Sequence, residues 1–432
     1  MYRNLCKCYV FLAVFLSAAF VQADWSSPQA VSSVGQIAIA PQIATDPSGN
    51  IVAIWYSYDG SNYAVFAASQ MAGGAWTSPV RLSAAGQDAY LPTLSVDELG
   101  NAVGIWFHYD GARYAIQASS LPLGGNWSAS IDISSSGVDA YDPQVSTDSL
   151  GNAVAVWFQF DGSYYSVQSA SLPRGGSWTS PATLSSVGVD GITPVIGVDG
   201  LGNAYAAWNE FDGVNYSIQF SSLPFRGSWT SATQLSIEGT NAYEPQITID
   251  SSGDVAVGWY YDDGANYIVQ VALQPFRGSW SAPFNLSGAG EDACTPILRT
   301  DSDGNITAVW QRYNGSNYII QSAYLSFEGS WSSPQDLSPI GQDSYNPGIA
   351  VNSAGDSVAI WYVYDGSSYV VQAATRAAGA DWNTAANLSN PSDNVDQPQA
   401  VIDLNGDVFV IWQDNTSWSI VEVEGTSLFV SL

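Results

Sequence analysis

Apolar and polar positions along this chain fall into a pattern that returns every 51 residues, eight times over. Each return carries four short apolar segments separated by turn chemistry. In the third copy these are PQVSTD (143–148), NAVAVWFQF (152–160), YYSVQSASL (164–172) and WTSPATLS (178–185), which predict strands a, b, c and d. Strand b is apolar on both faces, with Ala153 and Ala155 alternating against Val154, Val156 and Phe158. A strand covered on one side only would alternate with polar residues. The breaks are hairpin signals: Asp148-Ser149-Leu150-Gly151-Asn152 between a and b, Asp161-Gly162 between b and c, and LPRGGSW (172–178) between c and d.

Two tryptophan series keep the same step, an outer one from Trp25 to Trp382 and an inner one from Trp55 to Trp412. Four-stranded units of this length with both faces apolar predict an all-β, eight-bladed β-propeller whose antiparallel blades pack face to face around an axis. Tandem sandwiches need about 100 residues per unit. The repeat starts on a d-type segment at Trp25 and ends after a c-type segment near Trp418, so the N-terminal strand is expected to complete the last blade and close the ring. The tail TSLFVSL (426–432) competes for that outer position. Both tryptophan series read as packing, since burying each aromatic side chain contributes about 2–3 kcal/mol. The recurring Gln117, Gln168, Gln219, Gln270, Gln321 and Gln372 of strand c read as structural amides.

Residues 1–23 lie outside the repeat. Arg3 and Lys7, an apolar stretch from Val10 to Phe20 and the small-residue end Val21-Gln22-Ala23 predict a secretory signal peptide, too short to span a bilayer. The expectation is a signal peptide over 1–23 and one propeller domain over 24–432, secreted or periplasmic. Of three cysteines only Cys294 lies beyond the signal, so packing must replace disulfides. It holds a slot that is tyrosine in other repeats, and without a neighbouring His or Lys it reads as a neutral replacement.

Charge narrows the partners. Ten basic residues stand against 39 acidic ones, for a formal net charge of −29. Binding a phosphate backbone needs clustered cations, so nucleic acid is excluded, and anionic membrane surfaces with it. No membrane span is expected, and the chain reads as a monomer.

Chemistry is expected where loops gather. In propellers the d-to-a and b-to-c connections share one face, and here they carry segments such as GQDAYLP (86–92) and YDGARY (109–114). The b-to-c loops supply Asp59, Asp110, Asp161, Asp212, Asp263 and Asp365. The d-to-a loops add Asp88, Asp139, Asp190, Asp292 and Asp343, with Tyr90, Tyr141, Tyr243 and Tyr345. Aromatic rings beside carboxylates suit sugars, because a ring stacks on a pyranose while charge-assisted bonds take its hydroxyls. Asp-Gly is first a turn former, and the structural reading of those aspartates is the stronger one. Strand a is expected to line the axial channel with Gln42, Thr93 and Gln144, and Arg299 stands out there as either an anion partner or an accommodated exception. The position two after each inner tryptophan differs in every copy: Ser57, His108, Gln159, Glu210, Tyr261, Arg312, Val363 and Asp414. Such variety serves an asymmetric site or reflects drift. DSDGN (301–305) and DLNGD (403–407) look like fragments of a calcium loop but lack the remaining oxygens of the usual six to eight ligands, so no metal or cofactor is expected.

The order P-x-[ILV]-x-x-D-x-x-G-N, an apolar strand ending in Trp, D-G and then G-x-W resembles exported bacterial β-propeller repeats grouped with sialidase-like folds, and is similar to tandem-repeat propeller lectins, which bind sugars between blades. It covers residues 25–432 and rests on turn and packing residues. The sialidase box S-x-D-x-G-x-x-W is not matched, since Asp46 precedes Gly49 by three and Trp55 follows by six. Arg174, Arg226, Arg277 and Arg376 fall in c-to-d segments on the opposite face, where no sialidase arginine triad could form. Eight-bladed quinone dehydrogenases are excluded by the missing adjacent cysteine pair. Near-equal loops offer several weak sites whose avidity exceeds each alone, whereas catalysis needs one unlike constellation. The expectation is a non-catalytic, multivalent carbohydrate-binding protein whose partner is a glycan or a cell-surface protein. The alternative is a protein-interaction scaffold, and the third reading is a sialidase-like glycoside hydrolase with two carboxylates at the channel mouth.

Overall fold

In a computed structural model, residues 25–33, 37–327, 329–417 and 420–428 are described, so the expected signal peptide lies outside the described residues. The third repeat shows how the pattern becomes a blade. Its strands are Asp139–Thr147, Ala153–Phe160, Tyr165–Leu172 and Ala182–Thr183, paired antiparallel in chain order. Strand a starts earlier than its apolar pattern, because Asp139 to Tyr141 pair with Phe160 to Phe158. The residues expected in d-to-a loops are therefore partly strand residues. The register then breaks between Tyr141 and Gln144, where Asp142 takes φ +50° in front of Pro143. Every repeat has this bulge, with Ala40, Leu91, Thr193, Glu244, Thr295, Asn346 and Gln397 also at positive φ. Strand d is shorter than expected. Only Ala182 and Thr183 join the ladder, although Thr179 N–H and Leu184 N–H donate to strand c on either side, at 2.9 and 2.8 Å. Pro181 between them cannot donate, which blunts this outer edge.

The expectation of eight like blades is corrected to seven. Seven four-stranded blades are contiguous runs of the chain, spanning 38–81, 89–132, 139–183, 190–234, 242–285, 293–336 and 344–387. The remaining strands, Val395–Ile402, Val408–Ser417 and Ile420–Leu428, have no fourth strand of their own and form a composite closing sheet with Gln29–Ala30 from the other end of the chain. The physical reason is that the repeat pattern stops before a d segment. Gln29 and Ala30 pair with Gly425 and Glu424. The tail from Thr426 to Leu428 belongs to the third strand of that sheet and does not compete for its edge; Phe429 to Leu432 lie outside the described residues.

Packing between blades supplies the core. All eight inner tryptophans are buried to 1 % exposure or less. Trp106, with Ala89, packs against Ile54, Val65 and Leu82 of the preceding blade, and the outer Trp127 covers the same cluster. Trp25 packs likewise on the cluster of Trp412, and Val31 joins Ile411 to the first blade, so both ends of the chain share cores. The strand c glutamines are structural amides. Gln270 Oε1 accepts from the Trp259 indole at 3.1 Å while its Nε2 donates to Asn285 Oδ1 at 2.7 Å; Gln117, Gln321 and Gln372 repeat the arrangement.

Candidate functional site

The b-to-c hairpins are each closed by an aspartate. Asp59 Oδ1 accepts from the N–H groups of Ser61 and Asn62, both at 2.9 Å, and Asp110, Asp161, Asp212, Asp263 and Asp365 do the same two and three residues on. These backbone bonds hold all six carboxyls below the usual carboxylate range, so they are exposed and ionised. Oδ2 of Asp161 and of Asp263 makes no hydrogen bond among the described residues.

The second aspartate set spans neighbouring blades. Asp88 Oδ1, at the start of the second blade, accepts from Tyr63 N–H of the first at 2.8 Å. Asp139, Asp190, Asp292 and Asp343 hold Tyr114, Tyr165, Tyr267 and Tyr318 in the same way at 2.8–2.9 Å, and Asn241 substitutes for the carboxylate at Tyr216. Tyr90, Tyr141, Tyr243 and Tyr345 are half-buried beside these clasps. The Tyr90 ring sits 5.8 and 5.4 Å from Tyr56 and Tyr63 of the first blade and 5.6 Å from Phe107 of its own. Tyr141, Tyr243 and Tyr345 bridge their blades alike. The ring array breaks at Ile39 in the first blade, at Ile192 with Asn209, at Cys294 with Gln311, and at Asp396 with Gln413. Burial pushes the Cys294 thiol up to about 11, which makes it a poor nucleophile.

A further aromatic set, missed from sequence, stands at the hairpin tips. Tyr58 faces Tyr63, Tyr109 faces Tyr114, Phe160 faces Tyr165, Phe211 faces Tyr216, Tyr313 faces Tyr318 and Tyr364 faces Tyr369 in direct cross-strand register. Their ring centroids lie 4.7–5.4 Å apart. Tyr58, Tyr109, Tyr313 and Tyr364 are 36–42 % exposed, and each of these pairs adjoins a hairpin-closing Asp or Asn. The signal was present as Tyr or Phe just before D-G or N-G with Tyr five residues on.

The variable positions do not converge. His108 is buried with Nε2 3.0 Å from Asp132 Oδ1, Glu210 accepts from Ser186 N–H at 3.0 Å, and Arg312 pairs with Glu291, each at its own blade. The c-to-d arginines do not converge either. Arg226 and Arg277 lie over Phe225 and Phe276, and Arg376 donates to Thr307 and Ser357 between the rings of Tyr324 and Trp382. On that face the D-x-x-G-[ND] turns use their own carboxylates. Asp301 Oδ1 accepts from Asp303 and Asn305 N–H, both at 2.9 Å, Oδ2 accepts from Asn305 Nδ2 at 2.7 Å, and Asn305 Oδ1 accepts from Phe327 N–H at 2.9 Å. Asp403 is spent similarly on Asn405 and Asp407. Among the described residues no group of three or more His, Cys, Asp or Glu side chains is arranged to hold a metal ion.

Three carboxyls at or beside the bulges differ from the hairpin caps. Burial pushes Asp142 up to about 6, and raises Glu244 and Asp396 as well. Their surroundings disfavour the charged form, where the hydrogen bonds of the caps favour it.

No family model matches the chain, and no curated protein matches it significantly. Among solved structures, a PL25 ulvan lyase bound to -[GlcA(1-4)Rha3S]- is similar over 93 % of this chain and 95 % of its own, with TM-score 0.54 and 11 % identity. The polysaccharide lyase Uly1 is similar over 76 % of this chain and 88 % of its own, at TM-score 0.50 and 9 % identity. An α-L-arabinanase of Penicillium chrysogenum complexed with arabinobiose covers 66 % of this chain and 92 % of its own, at 0.41 and 11 %. At such identities the likeness is one of fold, a β-propeller.

Proposed function

We propose that this is an exported, non-catalytic propeller that binds carbohydrate multivalently on the face carrying the b-to-c hairpins. The observation that supports it is the set of aromatic pairs at the hairpin tips, one on each of six blades and four of them with an exposed ring, most beside an ionised aspartate. A ring presents a flat apolar surface to a pyranose, and a carboxylate held by its own backbone accepts sugar hydroxyls without being reorganised. The polysaccharide-active names among the fold neighbours are in keeping with that ligand class. The original candidates keep a place here: the hairpin aspartates as hydroxyl acceptors, and Asp88, Tyr90 and their equivalents as the frame that holds each tip.

The raised carboxyls of Asp142 and Glu244 favour a second reading, a hydrolase or lyase using an acid near the channel mouth. A glycan array with residues 24–432 distinguishes the two. Binding is expected to fall about 2- to 10-fold when Tyr109 alone becomes Ala, the worth of one stacking contact, and to vanish when Tyr58, Tyr109, Tyr313 and Tyr364 are replaced together. Turnover of a polysaccharide that disappears in Asp142→Asn or Glu244→Gln would replace the binding reading with the enzymatic one.

A further inference from the structure

The hairpin tips carry negative charge that nothing nearby offsets. Asp110, Asp161, Asp212 and Asp365 are exposed, each next to an aromatic pair, and accept the N–H groups of their own turns through Oδ1. Those bonds favour the ionised form. The clasp carboxylates stand close by: Asp190 holds the N–H of Tyr165 in the Phe160–Tyr165 pair, and Asp139 and Asp343 hold those of Tyr114 and Tyr318. Among the described residues the cations on this side of the ring are already paired, Arg81 with Asp59 at 2.5 Å, Arg113 with Asp139 at 3.0 Å and Arg312 with Glu291. The exposed Arg174, Arg226 and Arg277 sit in c-to-d segments, on the opposite face.

Amides and hydroxyls would serve a neutral sugar as well as carboxylates do. Fixed carboxylates gain most from a ligand that brings its own counter-charge, because a hydrogen bond between two ionised groups is stronger than one to a neutral hydroxyl. The face of an exposed ring attracts a cation too. Both properties meet in one ligand class, a saccharide that joins a flat apolar face to a protonated amine. We propose that the hairpin tips select cationic glycans, polymers of 2-amino-2-deoxy sugars with free amines, over neutral and acidic ones, the ring stacking on the aromatic pair and the ammonium meeting the aspartate. This rests on the carbohydrate reading above and narrows its ligand. Asparagine is a clean probe of the charge, because Asn314 already caps the equivalent hairpin, its Oδ1 accepting from Ser316 and Asn317 N–H at 3.0 and 2.9 Å.

Binding to glucosamine oligomers and to N-acetylglucosamine oligomers of the same length, displayed at equal density on a sensor surface, tests it. The glucosamine surface is expected to bind at least about 10-fold more tightly, a few-fold for each exposed ion pair multiplied over several tips. The difference is expected to vanish at about 1 M salt, where charges are screened within about 3 Å, and in a folded variant with Asp110, Asp161, Asp212 and Asp365 all changed to Asn. Equal binding of the two surfaces by wild type, or a preference that survives the four Asn changes, would overturn charge selection and leave the carbohydrate reading standing. A preference that survives replacing Tyr58, Tyr109, Tyr313 and Tyr364 by Ala would reduce it to attraction by net charge and overturn it as well. Binding of a lysine-rich peptide without binding of glucosamine would also refute it, and binding of no glycan of any kind would remove the carbohydrate reading with it.

Discussion

One residue type does three jobs here, and surroundings decide which. Asp161, capped by two backbone N–H groups in the open, is a fixed anion; Asp88 spends an oxygen on the preceding blade; Asp142, without such donors, is pushed up to about 6 by burial. The last case has a pH signature. Because its folded pKa lies above the unfolded value of 3.8, Asp142 binds more protons folded than unfolded, so its contribution falls as pH rises from about 4 to 6. Asp142→Asn, with an asparagine already tolerated at this positive φ in Asn346, is predicted to be more stable than wild type at pH 7. Urea midpoints should show that advantage disappearing near pH 4; an advantage independent of pH would mean that burial of charge is not the cause. At Asp88, Ala strands the Tyr63 N–H and is expected to cost about 1–2 kcal/mol, whereas Asn is nearly neutral because Asn241 already fills the equivalent clasp. The sequence displayed these aspartates at constant spacing but not where their lone pairs go. It also displayed Tyr58 and Tyr63, whose pairing depends on a cross-strand register that composition does not reveal.

Among the elements, the a-to-b turn was the most legible and its partners the least. D-x-x-G-[ND] announces a tight hairpin, and the turn forms as such. The need for glycine lies between blades: a Cβ on Gly151, at φ +90°, would stand 2.7 Å from Asp97 Oδ2 of the preceding blade. Gly151→Ala is therefore expected to destabilise by more than the roughly 1 kcal/mol that a helix-interior glycine change involves, measured as a shifted urea midpoint. The same turns saturate their carboxylates with N–H donors, so excess chelator is predicted to leave the melting temperature unchanged. A fall of more than about 10 °C, several kcal/mol for a chain of this size, would show that Asp301 or Asp403 holds a cation. Strand a illustrates what periodicity hides. Residues of both its alternating sets, Gln42 and Ile43 among them, line the channel, and the pre-proline bulge that turns Asp142 and its equivalents out of register has no signature beyond the proline itself.

At the scale of the molecule, repetition made the propeller legible and obscured its count. A ring of seven contiguous blades needs the composite sheet to close it, and that sheet depends on nine residues at the start of the described chain. Removing residues 25–33 deletes its outer strand, Trp25 from the Trp412 core and Val31 from the Ile411 core. The loss of the tryptophan alone is worth about 2–3 kcal/mol, so calorimetry is expected to show the whole transition move down, and an unchanged transition would show that the ring does not rely on this closure.

The central claim is that like hairpins around the ring act as like sites, and stoichiometry tests it most directly. For a glycan identified on the array, native mass spectrometry of residues 24–432 at rising concentrations of a monovalent oligosaccharide is predicted to show successive occupancy of several sites with similar affinities. Saturation at one ligand per chain, unaffected by replacing the tyrosines at the hairpin tips, would contradict it.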